Sequence, residues 1–116
     1  MPYIELNYNK TITSSEEKKI KEEFGKAISI LPGKSEEWLM VEIKDNMKLY
    51  FKGDKEKENM MIKVLVYGDT LSESILNKFT AKVSEILINI LPGLNKDHIY
   101  ISYFFTKNWG FNGENF

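Results

Sequence analysis

The sequence predicts a two-layer α+β domain: duplicated β-α-β units forming a four-stranded mixed sheet, with two helices on one face. Three observations carry this expectation. First, Ile30-Leu31-Pro32-Gly33 recurs as Ile90-Leu91-Pro92-Gly93 at an offset of 60 residues, and self-similarity at a fixed offset implies two copies of one supersecondary unit. Second, the same offset sets Ile4 and Leu6 against Val64 and Val66, and Leu39 and Val41 against Ile99 and Ile101. Third, 116 residues suit one continuous core and are too few for two ordinary ones. Residues 1–116 are therefore expected to form a single domain, with pseudo-repeats at about 2–53 and 60–112.

The elements follow in order. From Pro2 to Tyr8, Ile4 and Leu6 alternate with Tyr3, Glu5 and Asn7, the period of a half-buried strand. Ser14 and Glu17 have capping-box spacing, so a helix is expected to begin there. Ile20, Phe24, Ala27, Ile28 and Leu31 form its apolar stripe, and Pro32-Gly33 ends it. Trp38 to Ile43 reads as a strand, and Lys48 to Lys52 as a shorter one, turned by Gly53-Asp54. The alternating charges from Lys52 to Glu58 read as a solvated hairpin loop. Met60 to Tyr67, apolar except for Lys63, reads as a central strand. Thr70 and Glu73 repeat the capping-box spacing, and Ile75, Leu76, Phe79, Val83, Ile86, Leu87, Ile90 and Leu91 form the second helical stripe. Ile99 to Phe105 is the last long strand, and Asn108, Gly110, Asn112 and Gly113 break the tail. With both helices on one face, the other face is expected to show apolar side chains, which a second copy would cover.

Composition excludes several functions. Lys plus Arg number 16 against 17 Asp plus Glu, which leaves no field to gather nucleic acid or an anionic membrane. No apolar run reaches the roughly 18 residues of a bilayer span, and the N-terminus lacks a signal-peptide pattern, so a cytoplasmic location is expected. Without cysteine there is no disulfide, thiolate nucleophile or thiolate metal site. His98, the single histidine, has no second ligand at metal-binding spacing and reads as a surface residue. Met40, Met60 and Met61 lie in strand patterns and read as core. Glu5 and Glu42 sit on polar strand faces and read as solvated or interface-paired carboxylates.

A wider resemblance rests on Met1-Pro2, on Pro32-Gly33-Lys34 after the first helix, and on Trp38-Leu39-Met40-Val41. It continues through Leu49, Phe51 and Lys52-Gly53, Asp97-His98-Ile99-Tyr100-Ile101-Ser102-Tyr103, and Trp109-Gly110-Phe111-Asn112. Taken in this order, and across essentially the whole chain, these segments resemble the macrophage migration inhibitory factor (MIF) branch of the tautomerase superfamily. The resemblance implies a homotrimer with active sites at subunit boundaries, acting on a small keto or enol acid such as phenylpyruvate, without metal or organic cofactor. Relatives also act outside cells without an export signal, so non-classical secretion stands beside the cytoplasmic expectation.

In that reading Pro2, freed by removal of Met1, is the catalytic base. Apolar burial and the Lys34 cation both disfavour its ammonium form. Lys34 would hold the substrate carboxylate, Tyr100 of a neighbouring subunit would donate a hydrogen bond, and Phe111 and Trp109 would supply an aromatic wall. Tyr67 and Gly68 stand near the family's Ser-Ile-Gly, which offers a backbone N–H to substrate, and Ser102 stands where the human member has asparagine. The family's vertebrate Cys-x-x-Cys pair is missing, so no thiol-oxidoreductase activity carries over.

Each residue also has a plainer reading: Pro2 as a strand-edge proline, Lys34 as a solvated loop cation, Tyr100 as interface packing. Two other functions follow from those. One is a trimeric, cytokine-like binding protein with little turnover, and the other is a monomeric ferredoxin-like domain that binds a small ligand.

Overall fold

The structure, a computed structural model, describes residues 1–115. Strand β1 spans Pro2–Tyr8, helix α1 Ser14–Ala27, β2 Met40–Lys44, β3 Met60–Tyr67, helix α2 Glu73–Ile90 and β4 Ile99–Thr106. A small hairpin, β5 Gly110–Phe111 and β6 Glu114–Asn115, follows. The main sheet has the order β2-β1-β3-β4. β1 runs parallel to β2 and β3 parallel to β4, while the central pair β1 and β3 is antiparallel. Ile4 stands directly opposite Val64, its counterpart at the offset of 60. The expected four-stranded mixed sheet with two helices is the observed one.

The alternation of β1 decides what the sheet buries. Ile4, Leu6 and Tyr8 point to the helices with Ile62, Val64 and Val66 of β3, and all are sealed from solvent. Against them pack Ile20, Phe24 and Ala27 of α1 and Phe79, Val83, Ile86 and Leu87 of α2, the stripes that helical spacing had marked. From β4, Tyr103 reaches across so that its hydroxyl lies 2.6 Å from that of Thr80 on α2.

The opposite face is more polar than expected. Tyr3, Glu5 and Asn7 meet Glu42 and Lys44 on one side and Lys63 on the other, and Glu5 lies within 3.7 Å of both lysines. Tyr3 donates to Glu42 at 2.6 Å and Asn7 to Glu5 at 2.9 Å. Glu5 and Glu42 stand directly opposite each other, a like-charge juxtaposition that is unfavourable by itself and is offset by Lys44, which reaches both carboxylates, and by Lys63 across from Glu5. Large apolar side chains stand around this network, with Met40, Tyr100 and Phe104 all exposed.

Several boundaries differ from the sequence reading, each for a local reason. α1 is capped one residue earlier, by a capping box of Thr13 with Glu16. The run Thr13-Ser14-Ser15-Glu16-Glu17 permits either register, and the chain's entry decides it, because Asp45 holds the N–H of Ile12 at 2.9 Å. α2 is capped by Ser72, which accepts from the N–H of Ile75, so Thr70 lies outside the helix. β2 starts at Met40 because Glu36–Trp38 forms a 3₁₀ turn. Lys48 to Lys52 makes no strand. Among the described residues it finds only a bridge between Phe51 and Asp54 around Lys52-Gly53, both at positive φ, and an extended segment without a ladder partner is not a strand.

Three side-chain expectations also change. Met40 is exposed rather than core, because it falls on the open face of an edge strand; Met60 is buried as expected. His98 is half-buried, its ring 5.0 Å from that of Phe51. Glu58, at the end of the charged loop, turns inward to accept a hydrogen bond from the buried Tyr8.

Candidate active site

β1 begins where β3 ends, and the chain places a groove there of about 490 Å³. Pro2, Tyr3, Met40 and Leu65 line it from the sheet, and Glu37, Trp38 and Leu39 from the turn that precedes β2. Its remaining wall is the tail, through Trp109 and Phe111. Trp38 and Phe111 meet edge to face at 5.3 Å, and Trp109 lies 6.5 Å from the ring of Tyr67. The groove is therefore apolar and aromatic along most of its length, the character of a site for a flat organic ligand.

Pro2 is buried at its inner end and pairs with Val66. The N–H of Tyr67 donates to the carbonyl of Met1 at 3.0 Å. Lys34 is delivered to the same corner by a tight turn: its N–H returns to the carbonyl of Leu31 at 3.0 Å, and Gly33 takes φ 76°, a conformation that costs glycine little. The Lys34 ammonium then donates to the Tyr67 carbonyl at 2.9 Å and lies over its ring at 5.9 Å.

This corner acts on the N-terminal amine. Burial, then the Lys34 charge and its hydrogen bonding, hold the Met1 amine below its ordinary value of 8.0, since each penalises the ammonium form. With Met1 attached, the Pro2 nitrogen is an amide and carries no basic lone pair. On the groove's floor Tyr3 is different: its hydrogen bond to Glu42 is the largest of several influences that raise its pKa well above the ordinary range, so it remains a neutral donor.

Of the residues singled out in the sequence, Pro2, Lys34, Tyr67, Trp109 and Phe111 are gathered at this end of the sheet. Gly68 adjoins them, but its N–H is committed to the Thr106 carbonyl at 2.9 Å. Tyr100 is not near. It pairs with Met61, which pairs with Asn7, five positions along β1 from Pro2 and two strands across, and so about 20 Å away. Ser102 lies in the row of Lys63 and Glu5, two strands across from β1 and about 14 Å from Pro2. Both face away from the helices on the outer strand.

Similar architectures exist among solved structures. MIF2 of Leishmania major superimposes with a TM-score of 0.89 at 22% identity, over 100% of this chain and 97% of that one. The fold is that of macrophage migration inhibitory factor. A MIF homologue from Prochlorococcus marinus matches with a TM-score of 0.83 at 22% identity, over 98% of both chains. Pt0534, solved after inactivation by 2-oxo-3-pentynoate, matches with a TM-score of 0.81 at 16% identity, over 96% of this chain and 92% of that one. No protein-family model matches the sequence, and no curated protein does. The resemblance read from the motifs thus holds at the level of the MIF fold.

The groove in this MIF-fold chain also uses residues that were not among the candidate site residues: Tyr3, Glu37 and Leu65, and Trp38, Leu39 and Met40 of the string that carries the resemblance. A signal for part of this set was present. Trp38 and Met40 stand four and six residues beyond Lys34, and a large aromatic close to a flexible thioether is costly to expose without use. Among the described residues no cluster of His, Cys, Asp and Glu is arranged to hold a metal ion, and no helix is long and apolar enough to cross a membrane.

Proposed function

We propose that this protein is a cofactor-independent tautomerase of phenylpyruvate-like keto acids, with Pro2 as general base once Met1 has been removed. One observation carries the reading: Met1 and Pro2 line an aromatic groove, the Tyr67 N–H donates to the Met1 carbonyl, and the Lys34 ammonium, held by the Tyr67 carbonyl, is near enough to depress the pKa of the Met1 amine. Removing Met1 converts Pro2 into a secondary amine in the surroundings that already depress an amine's pKa. A neutral amine at physiological pH takes the proton from the carbon next to the keto group, and the electron pair moves onto the keto oxygen as an enolate. The Tyr67 N–H, which meets a carbonyl oxygen in this structure, has the direction needed to stabilise that oxygen. Lys34 binds the carboxylate, and Trp38, Trp109 and Phe111 enclose the ring. Returning the proton from Pro2 to oxygen completes the isomerisation. That a 2-oxo acid reagent inactivates Pt0534 supports the substrate class.

The reading includes a homotrimer. Tyr100 and Ser102 are too far from Pro2 of their own chain to reach its substrate, so a neighbouring copy would supply them. The unpaired stretch before Phe51 and the open outer edge of β2 are complementary strand edges, and unpaired backbone favours such pairing.

The test combines intact mass with the change in ultraviolet absorbance of enol phenylpyruvate. Protein lacking Met1 is expected to turn over, and Pro2→Gly to lower kcat/KM by about 10²- to 10⁴-fold. An unchanged rate in Pro2→Gly overturns the proposal. Processed but inactive protein would instead mark a trimeric binding protein.

A further inference from the structure

The groove carries a formal charge that the tautomerase reading does not use. Glu37 lines it beside Trp38, in the stretch where Trp38 meets Phe111. Its neighbour Glu36 is turned away, its carboxylate lying against the backbone of Gly25. Among the described residues, no ion pair and no side-chain hydrogen bond engages Glu37, whereas Glu42 behind Tyr3 is balanced by Lys44 at 3.6 Å. Lys34 stands outside the stretch where Trp38 meets Phe111, beside Tyr67, to whose carbonyl it gives one of its three N–H donors. The ring-binding stretch is thus walled by aromatic faces and one uncompensated carboxylate.

We infer that Glu37 is a specificity residue that selects keto acids bearing a cationic group on the far side of a flat apolar ring. The inference rests on the tautomerase reading for its reaction, and on the groove alone for its binding preference. A plain aryl keto acid leaves Glu37 to water. A second carboxylate on the ring is repelled by it, and an ammonium is attracted, more strongly because aromatic faces also favour cations. The carboxylate is exposed, which limits the gain to that of a partly solvated pair.

The experiment compares 4-(aminomethyl)phenylpyruvate with its neutral near-isostere 4-ethylphenylpyruvate, using protein from which Met1 has been removed. The ratio of their kcat/KM values is expected to fall about 2- to 5-fold in Glu37→Gln, and further in Glu37→Lys. Added salt is expected to lower the wild-type ratio. Referring the variants to the wild-type ratio cancels the different intrinsic reactivity of the two compounds. A ratio unaltered in both variants overturns the inference. If no keto acid is turned over, the tautomerase reading fails while Glu37 is still tested. The chain has 2 tryptophans, Trp38 and Trp109, and both line the groove, so their fluorescence reports binding directly. The cationic compound is then expected to bind about 2- to 5-fold more tightly than the neutral one, and to lose that margin in both variants. Equal affinities in the wild type overturn the inference.

Discussion

At the scale of single residues, the chemistry is set by which protonation state each group finds cheapest. The Met1 amine is disfavoured as ammonium by burial and by the Lys34 charge, which hold its pKa below 8.0, and the same surroundings would lower the pKa of a Pro2 amine freed at that corner, whose neutral form increases as pH rises through its pKa. In processed protein the acid limb of the kcat/KM profile reports this titration. Lys34→Ala removes a cation, the amine's pKa rises, and the acid limb moves to higher pH. The loss of activity is therefore expected to be larger at about pH 6 than at about pH 9, with KM for phenylpyruvate raised about tenfold by the missing carboxylate contact. A pH–rate profile of the two proteins checks both; an acid limb that moves down or stays still removes Lys34 from the site. Pro2 and Lys34 were legible as candidates because they stand in recognisable strings. Glu37 was not, since a glutamate in a polar loop reads as solvated until the loop is seen to fold over aromatic side chains.

At the scale of elements, the local devices are short and separable. The α1 cap is carried by Thr13 and Glu16, so Thr13→Ala is expected to cost about 1 kcal/mol and Ser14→Ala only a few tenths, measured by urea denaturation. The opposite order would restore the capping register read from spacing alone. The turn that delivers Lys34 depends on Gly33 at φ 76°, where a side chain finds open space but the backbone conformation is strained. Gly33→Ala is accordingly expected to cost about 1–2 kcal/mol and to raise KM for phenylpyruvate as the ammonium is displaced. Intact stability with unchanged KM would show that the turn does not set the position of Lys34. Strands β1 and β3 were readable to within a residue because alternation, or its absence, reports burial directly. The Lys48 to Lys52 segment was misread for a physical reason: strand propensity describes a side-chain preference, while a strand also needs an edge to bond to.

At the scale of the whole molecule, the sheet presents two unlike faces. One is closed by helices. The other carries a network of Glu5, Glu42, Lys44 and Lys63, with Met40, Tyr100 and Phe104 around it. In the proposed trimer, sedimentation is expected to find three chains of 13.6 kDa each in one particle. Subunit boundaries can be tested by complementation. Pro2→Gly and Tyr100→Ala are each expected to be poorly active alone, and to regain activity when refolded together, because mixed particles pair an intact Pro2 with an intact Tyr100 across a boundary. Failure to complement, or a monomeric particle, refutes shared sites.

The amino-acid order alone determined the layer architecture, since helix and strand periods and a repeat at an offset of 60 are one-dimensional signals of which side chains avoid water. It also marked Pro2, Lys34, Trp109 and Phe111, whose types are conspicuous in their local strings. Tertiary structure decided the rest: which capping register forms, that Met40 and Trp38 face a groove, that the Gly68 N–H is committed to Thr106 while that of Tyr67 points at residue 1, and that Tyr100 stands about 20 Å from Pro2. These depend on contacts between segments far apart in the chain, whose energies no local pattern contains.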